Sequence, residues 1–244
     1  MKAQVTLLLG FALLGTTGCS HKDESAALKP TAFGSAIVES SGGKQLAQTG
    51  SLLPQSVVVQ VNNDQGTADP GALVEFAAAP GVNLDPASAL TDSSGQATTN
   101  VSLGGMAGRY EIAASTLDKS HKRVELKLEE IALGYQQTLG RRLNDQYCDR
   151  CHNSESTAER VSNYDNLEVK PHPFSEGDTL NKISDADLAA IITNGGPALQ
   201  KSALMPAWGN TLSKSDVQAL VAYIRAVSDP PSRNSGLSYI DTGH

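Results

Sequence analysis

Residues 140–152 read GRRLNDQYCDRCH, and this stretch decides the fold of the second half of the chain. It ends in a Cys-x-x-Cys-His motif, in which Cys148 and Cys151 lie one helical turn apart and His152 follows directly. Two thiols at this spacing add across the two vinyl groups of a haem, and the adjacent histidine then lies under the iron as its proximal ligand. The motif therefore predicts one covalently bound haem c at the end of a helix.

Two other uses of the motif are a zinc site and a disulfide. A structural zinc site needs four ligands, and this half of the chain offers only His172 and His244 as distant further candidates. A disulfide between Cys148 and Cys151 would close a small loop in an oxidising compartment. The histidine directly after the second cysteine favours haem over both.

The sixth ligand of such a haem is predicted from the stretch SALMPAWG, residues 202–209, because Met205 is the only methionine after Met106. A thioether opposite an imidazole raises the reduction potential of the iron and suits electron transfer. One alternative is that Met205 only fills the core. Another is a distal His172, which would give a bis-histidine haem of lower potential. We expect Met205 to be the ligand and His172 to be an exposed imidazole.

The residues around these candidate ligands have a helical pattern. Residues 185–193 are typical of a helix that Asn194-Gly195-Gly196-Pro197 ends, and Ser213 begins a last helix. The motifs are, in order, Gly140-x-x-Leu143, Cys148-x-x-Cys151-His152, Ile191-x-x-Asn194-Gly195, Met205-Pro206-x-Trp208 and Leu212-Ser213 with Leu220-x-x-Tyr223-Ile224. This order resembles the class I c-type cytochromes over residues 134–228. Asn144 stands where that family commonly has an aromatic residue.

The resemblance implies an all-α domain whose first and last helices cross where Gly140 meets Tyr223. It also implies a methionine loop that closes over the edge of the haem. In that family a proline carbonyl often accepts a hydrogen bond from the second ring nitrogen of the proximal histidine, a role open here to Pro171 or Pro173. Trp208 is expected to line the haem pocket.

Residues 32–129 show a different pattern, in which apolar and polar residues alternate. Val57, Val59 and Val61 fall on one face of a strand, and further short runs follow, separated by turn sequences such as Asp92-Ser93-Ser94-Gly95. About seven short strands at this spacing predict an antiparallel β-sandwich.

Three motifs in this region carry a second resemblance. They are PGALVEF at residues 70–76, TDSSGQA at residues 91–97 and AGRY at residues 107–110. Together they resemble the bacterial Ig-like domains of the invasin and intimin type, in which the domain is a rod segment, a stalk or an adhesive module. The region has no cluster of acid, base and nucleophile, so we expect no catalytic site there.

The first residues are typical of an export signal. The apolar run over residues 5–14 is too short for a membrane span, which needs about 20 apolar residues. The end of the signal, LGTTGC at residues 14–19, resembles a bacterial lipoprotein signal, although Thr16 replaces the usual leucine. The resemblance implies removal of residues 1–18 and lipidation of Cys19.

The residue after the lipidated cysteine predicts where the protein resides. Ser20 follows Cys19, and in Gram-negative lipoproteins a residue that is not acidic at this place points to the outer membrane, facing the periplasm or the cell surface. Residues 19–31 are then expected to form a polar tether. At the other end, residues 229–244 carry no motif and are expected to form a flexible tail.

The composition excludes some classes of function. The chain has 26 acidic and 19 basic side chains among 244 residues, a net charge of −7, so a basic nucleic-acid surface is excluded. The charged fraction of 18% is too low for a disordered polyelectrolyte, and the length allows two folded domains.

The sequence as a whole predicts an all-β Ig-like domain followed by an all-α cytochrome c domain. We expect a lipid-anchored, monohaem electron carrier and not an enzyme, because a carrier needs no catalytic residue beyond the iron ligands. Its partners would be redox proteins with basic docking faces, whose binding salt weakens. Two alternatives remain: a haem protein that binds a gas or reacts with peroxide at a labile sixth position, and a surface adhesion protein that carries a cytochrome.

Overall fold

The computed structural model describes residues 28–153 and 161–233, together with residues 237, 239 and 240. The strands of the first domain are β1 Ala36–Ser41, β2 Leu46–Gln48, β3 Val57–Asn62, β4 Leu73–Ala78, β5 Asn83–Asp85, β6 Ser88–Leu90, β7 Gln96–Ser102, β8 Gly108–Leu117 and β9 Arg123–Leu133. One sheet has the order β1-β3-β7-β5 and the other the order β2-β9-β8-β4-β6. All of these neighbours pair antiparallel except β2 and β9, which are parallel.

The two sheets pack face to face over one apolar core. Val57, Val59 and Val61 of β3 have no exposed surface and lie in this core with Tyr110 and Ile112 of β8. The residues between them on each strand face outward, as the alternation in the sequence requires. The prediction of a β-sandwich is therefore confirmed.

The sandwich continues four residues beyond the predicted boundary at residue 129. Residues 130–133 complete β9, and Ile131 pairs with Arg109 of β8 on one side and with Leu46 of β2 on the other. Gly134 alone separates β9 from the first helix, so the two domains are joined without a linker.

The second domain is helical. Its helices are α1 Tyr135–Leu143, α2 Asp149–His152, α3 Gly177–Leu180, α4 Asp185–Asn194 and α5 Lys214–Val227, with a π-helical turn at Asn144–Cys148 and 3-10 turns at Tyr164–Asn166 and Gly196–Leu199. Ser184 caps α4 and Ser213 caps α5, and Asp216 completes a capping box with Ser213. Among the described residues, no helix is both long and apolar enough to cross a membrane.

The first and last of the long helices cross where the sequence predicts. A Cβ atom on Gly140 would lie 2.0 Å from the carbonyl oxygen of Ala219 and 2.7 Å from the Cβ atom of Tyr223. Only glycine fits at this distance, so α1 and α5 contact each other backbone to backbone. The predicted meeting of Gly140 and Tyr223 is confirmed.

A separate apolar cluster joins the two domains, and we call it the junction cluster. It comprises Ile131, Leu133, Tyr223, Ala226 and Leu237, all 7% exposed or less. The first two belong to β9 and the next two to α5, so the outer face of the sheet at this end is covered by the helical domain. Both faces of residues 131–133 are buried for this reason.

The described residues beyond α5 differ from the flexible tail that the sequence predicts. Ser232 and Leu237 are each only 7% exposed, and Tyr239–Ile240 form a strand, β10, that pairs in parallel with Arg109 and Tyr110 of β8. The segment packs because β4 does not reach this end of β8, which leaves backbone groups available for pairing.

The packing of Leu237 leads to a stability prediction. Replacing Leu237 with alanine should lower the free energy of unfolding by about 2 kcal/mol or more, since a buried leucine leaves a cavity. Chemical denaturation would measure the change. Leu52→Ala is the control, because that side chain is 60% exposed and its loss should cost less than about 1 kcal/mol. Equal effects of the two substitutions would contradict packing of the tail.

Candidate haem site

The helix that carries the Cys-x-x-Cys-His motif is not regular. Between α1 and α2 the N–H of Asp149 bonds to the carbonyl of Asn144, five residues earlier, as in a π-helix. The wider turn accompanies the burial of Asn144 and Cys148, which are 5% and 7% exposed. Single π-helical turns often occur at functional sites. Nothing in the sequence distinguished this turn from regular helix.

Among the described residues, neither Cys148 nor Cys151 forms a disulfide. Cys148 is buried, and burial, with smaller contributions from the charges of Asp149 and Cys151, raises the pKa of its thiol to about 12. It is therefore uncharged at neutral pH. Cys151 is half-buried at the same turn. The pair offers two reduced sulfur atoms on one helical turn, the chemistry that thioether attachment of haem requires.

The ring of His152 is held in one tautomer. Its Nδ1–H donates a hydrogen bond to the backbone carbonyl of His172 at 2.8 Å. Burial lowers the pKa of His152 below its ordinary value, although this hydrogen bond opposes the shift, so the ring is neutral at neutral pH. The Nε2 atom is then the unprotonated nitrogen, the form in which histidine binds a metal.

The carbonyl beside His152 differs from the expected one. Pro171 and Pro173 were the candidates, but the acceptor is the residue between them, His172. Proline at position 173 restricts His172 to an extended backbone, and the chain presents the carbonyl of that residue to the ring. The prediction of a carbonyl acceptor from this loop was correct in kind and wrong by one residue.

His172 itself is not placed as a distal ligand. Its backbone carbonyl accepts the hydrogen bond from Nδ1 of His152, the ring nitrogen that is not free to bind a metal. Its side chain is 51% exposed and pairs with Glu176, with 3.0 Å between Nδ1 and Oε2. The geometry therefore favours the exposed-imidazole interpretation over a bis-histidine haem.

Met205 lies in a loop fixed to the end of α4. The carbonyl of Met205 accepts a hydrogen bond from the N–H of Gly196 at 3.0 Å, and a Cβ atom on Gly196 would lie 2.0 Å from the carbonyl oxygen of Ser202. Gly195, which precedes it, has a φ of 82°, a conformation that favours glycine. The two glycines thus allow the loop to fold closely against α4 and leave the Met205 side chain half-buried.

Trp208 connects this loop to the cysteine-bearing helix. Its ring centroid is 5.2 Å from that of Tyr147, the residue before Cys148, at an angle of 54°. The half-buried ring also packs against the apolar cluster that contains Cys148, Leu188 and Leu220. The structure therefore brings the loop of Met205 and the helix of the thiols to the same side of the helical domain, with Trp208 between them.

Zinc has little support in this structure. Across residues 28–153 and 161–233 and the three described positions beyond them, no group of three or more His, Cys, Asp or Glu side chains could hold a metal ion. His244 lies outside the described residues. The donors at hand, two thiols and one neutral imidazole with its Nδ1 already bonded, fit haem c better than a closed zinc site.

The comparison with known families agrees with these donors. Residues 136–224 match the family described as cytochrome c oxidase, cbb3-type, subunit III. These residues form a cytochrome c family domain. The family implies haem c, and a cytochrome c domain implies an exported protein. No curated protein matches the chain.

Solved structures similar to the chain include two of intimin. The D00-D0 domain of intimin is 17% identical with a TM-score of 0.32, over 45% of this chain and 51% of that chain. The D0-D1 domain of intimin is 20% identical with a TM-score of 0.32, over 43% and 50%. Adhesin InvE of Yersinia pseudotuberculosis is 14% identical with a TM-score of 0.29, over 39% and 31%. The chain thus spans about half the length of the intimin chains.

Of two further residues at the site, the sequence predicts Phe174 as a haem-packing or core residue, whereas Glu176 was missed. Phe174 lies against the proximal ring, with 4.7 Å between its centroid and that of His152 and 38° between the planes. Glu176 holds the side chain of His172. Glu176 follows the histidine–proline pair that supplies the carbonyl, and an acidic residue at that place was the one available signal for it.

Proposed function

We propose that this protein is a monohaem c-type cytochrome that transfers electrons and is not an enzyme. Cys148 and Cys151 would hold one haem by thioether bonds, with His152 and Met205 as the axial iron ligands. The observation that carries the proposal is the hydrogen bond from Nδ1 of His152 to the carbonyl of His172, which leaves Nε2 free for iron. When bound, haem c supplies a one-electron couple between ferric and ferrous iron.

Each residue of the site has a distinct task in this proposal. The carbonyl of His172 orients the imidazole and increases its basicity as a ligand. Met205 offers a soft donor that favours ferrous iron and so raises the reduction potential. Trp208 and Tyr147 supply aromatic surface beside the thiols, which excludes water from that side. Electron transfer requires no proton donor or nucleophile beyond these groups.

The location of the protein is part of the proposal. Export with removal of residues 1–18 and lipidation of Cys19 would anchor the chain to the outer membrane, facing the periplasm or the cell surface. These residues lie outside the part that the structure describes. The tether predicted over residues 19–31 would end at Thr31, because the N–H of Thr31 bonds to the carbonyl of Gly71 at 2.9 Å and begins the sandwich.

The partners would be redox proteins with basic docking faces. The net charge of −7 supports this, because charges of opposite sign speed diffusional encounter between the two proteins. Ions in solution screen such attraction within about 10 Å at 0.1 M salt. The rate of electron exchange with a basic partner should therefore fall as the salt concentration rises.

The two proposed iron ligands can be tested by spectroscopy on a soluble form of the exported chain that begins at Ser20 and so lacks Cys19. We expect a low-spin ferric spectrum with a near-infrared methionine-to-iron band, and ferrous protein that does not bind carbon monoxide. Met205→Ala should lose the band and gain carbon monoxide binding. Met106→Ala is the control, because Met106 is 60% exposed on a turn of the sandwich and its loss should change neither property.

The same spectra discriminate the carrier from a gas-binding or peroxide-reacting protein. A parent protein that is high-spin, or that binds carbon monoxide in the ferrous state, would contradict the proposed ligand set. An unchanged near-infrared band in Met205→Ala would show that another residue is the sixth ligand.

A further inference from the structure

The junction between the two domains is more than a covalent connection, and Arg109 is its central polar residue. Arg109 lies on β8 opposite Ile131, so its side chain leaves the outer face of the sheet toward the helical domain. It is 2% exposed. Its Nη2 donates hydrogen bonds to the carbonyls of Ala226 and Ser228, both at 2.8 Å, and its Nη1 pairs with Glu129.

These two carbonyls are at the carboxyl end of α5. The last carbonyls of a helix lack hydrogen-bond donors within the helix and carry partial negative charge. A guanidinium supplies both the N–H donors and a compensating positive charge. The sandwich thus supplies the cap of the last cytochrome helix. Ser228 has no exposed surface, and its carbonyl accepts this hydrogen bond from the other domain.

The segment that Arg109 holds is bonded in turn to the loop beside the proximal histidine. The N–H of Asp229 bonds to the carbonyl of Ser175 at 2.8 Å, and the N–H of Gly177 bonds to the carbonyl of Asp229 at 3.0 Å. A Cβ atom on Gly177 would lie 2.3 Å from the carbonyl oxygen of Pro230, so the two backbones approach as closely as glycine permits. Residues 175–177 and 228–230 are therefore joined by two backbone hydrogen bonds and a close backbone contact.

The loop completes the path to His152 in two ways. The backbone carbonyl of His172 accepts a hydrogen bond from Nδ1 of His152, and Phe174 lies against the ring of His152. Phe174 packs both against the apolar cluster that contains Cys148 and against the junction cluster, to which β9 contributes Ile131. One polar and one apolar line of contact therefore run from the sandwich to the proximal ring.

We propose that the sandwich domain sets the position of the proximal histidine of the haem, with Arg109 and Phe174 as its positioning residues. This inference rests on the proposed function, in which His152 is an iron ligand. It assigns the sandwich a role in tuning the haem, beyond that of a spacer or docking module.

The expected effect follows from the chemistry of the hydrogen bond at Nδ1. A strong bond to a carbonyl gives the imidazole more negative charge and stabilises ferric iron. If the loop is released, this bond lengthens and the reduction potential rises. The amides of residues 175–177 should also exchange hydrogen faster. Without the Arg109 contact, this loop can open while the two domains stay packed against each other.

The test compares Arg109→Met with Lys127→Met in the full haem-bearing protein. Lys127 also lies on the outer face of the same sheet and also pairs with a carboxylate, Glu111 at 2.8 Å, but it is 60% exposed. Arg109→Met should raise the ratio of reduced to oxidised protein at a fixed ambient potential by about threefold or more. It should also speed amide exchange at Gly177 and Asp229 by about tenfold or more, whereas Lys127→Met should change neither quantity.

A second variant keeps the test decisive if Arg109→Met fails to fold. Phe174→Leu retains apolar volume at the junction but removes the ring from His152, and it should shift the reduced-to-oxidised ratio in the same direction. Arg109→Lys, which can satisfy fewer acceptors, should give a smaller change of the same sign as Arg109→Met.

Two results separate this inference from the proposed function. Folded Arg109→Met, Arg109→Lys and Phe174→Leu proteins with the parent's potential and the parent's exchange rates would overturn the inference and leave the electron carrier intact. A parent chain that attached no haem would contradict the proposed function, and the exchange rates at Gly177 and Asp229 would still decide whether Arg109 controls the loop.

Discussion

Replacing Gly140 with alanine should destabilise the cytochrome domain by more than about 3 kcal/mol, because the added methyl group forces α1 and α5 apart. The new Cβ atom would lie 2.0 Å from the carbonyl oxygen of Ala219, a backbone atom that cannot rotate away. The higher helix propensity of alanine returns only about 1 kcal/mol. Since α1 leads directly into the turn of Cys148, the yield of covalently bound haem should fall as well.

Denaturant unfolding followed by haem absorbance, together with the ratio of haem to protein after expression, would measure both effects. The matched control is Gly105→Ala in the sandwich, where, apart from its chain neighbours, no atom of the described residues lies within 4 Å of an added Cβ atom. That substitution should change stability by less than about 0.5 kcal/mol. If Gly140→Ala were as stable as the parent and fully loaded with haem, the close crossing of the two helices would be wrong.

The second large effect concerns Glu130, whose carboxyl is fully buried in the sandwich core. Glu130 faces Tyr110 across the β8–β9 ladder and has no exposed surface. Its Oε2 accepts the backbone N–H of Gln45 at 2.7 Å, while its Oε1 is buried and without a hydrogen-bond partner among the described residues. Burial, assisted by the charges of Glu39 and Glu129, raises the pKa of Glu130 to about 8.

The sign of the resulting pH dependence is fixed by this raised pKa. Between the ordinary carboxyl pKa of 4.5 and about 8, the folded protein keeps the proton of Glu130 while the unfolded chain loses it. The free energy of unfolding should therefore decrease by about 1.4 kcal/mol for each pH unit in this window from Glu130 alone, and level off above it.

Glu130→Gln should remove this slope. The amide keeps an acceptor for the N–H of Gln45 and carries no charge, so the variant should be more stable than the parent at pH 9. Urea denaturation at several pH values from 5 to 9 would measure it. Asp92→Asn is the control: hydrogen bonds, first from the Ser94 hydroxyl, lower the pKa of Asp92, so its contribution is lost only in acid. Parallel pH profiles of parent and Glu130→Gln would contradict a protonated Glu130.

The features that could be predicted from the sequence are those set by local spacing. The Cys148 motif, the glycine at the helix crossing and the alternation of Val57, Val59 and Val61 each depend on residues close together in the chain or on a recurrent motif order. The structure agrees with the fold that each of them indicates. The roles of Met205 and Trp208 at iron stay predictions, since the spectra described above are needed to test them.

The features that were missed depend on contacts between residues far apart in the chain. Arg109 looks like part of a strand motif, and only the fold places it at the end of a helix 117 residues later. Leu237 lies in a segment without a motif, and its packing depends on a strand edge that the sequence does not reveal. The run Ile131-Ala132-Leu133 was the one local signal of burial on both faces of β9.

The single residue Gly134 between β9 and α1 restricts how this architecture can be rearranged in evolution or by design. A cytochrome domain excised at this point would expose the side chains of Tyr223 and Ala226, which now pack with Ile131 and Leu133 of β9, as an apolar patch that promotes aggregation. Insertions at the joint would separate Arg109 from the helix end it caps. The two domains are therefore expected to be inherited and transplanted as one unit, with sequence changes on either side of the joint compensating each other.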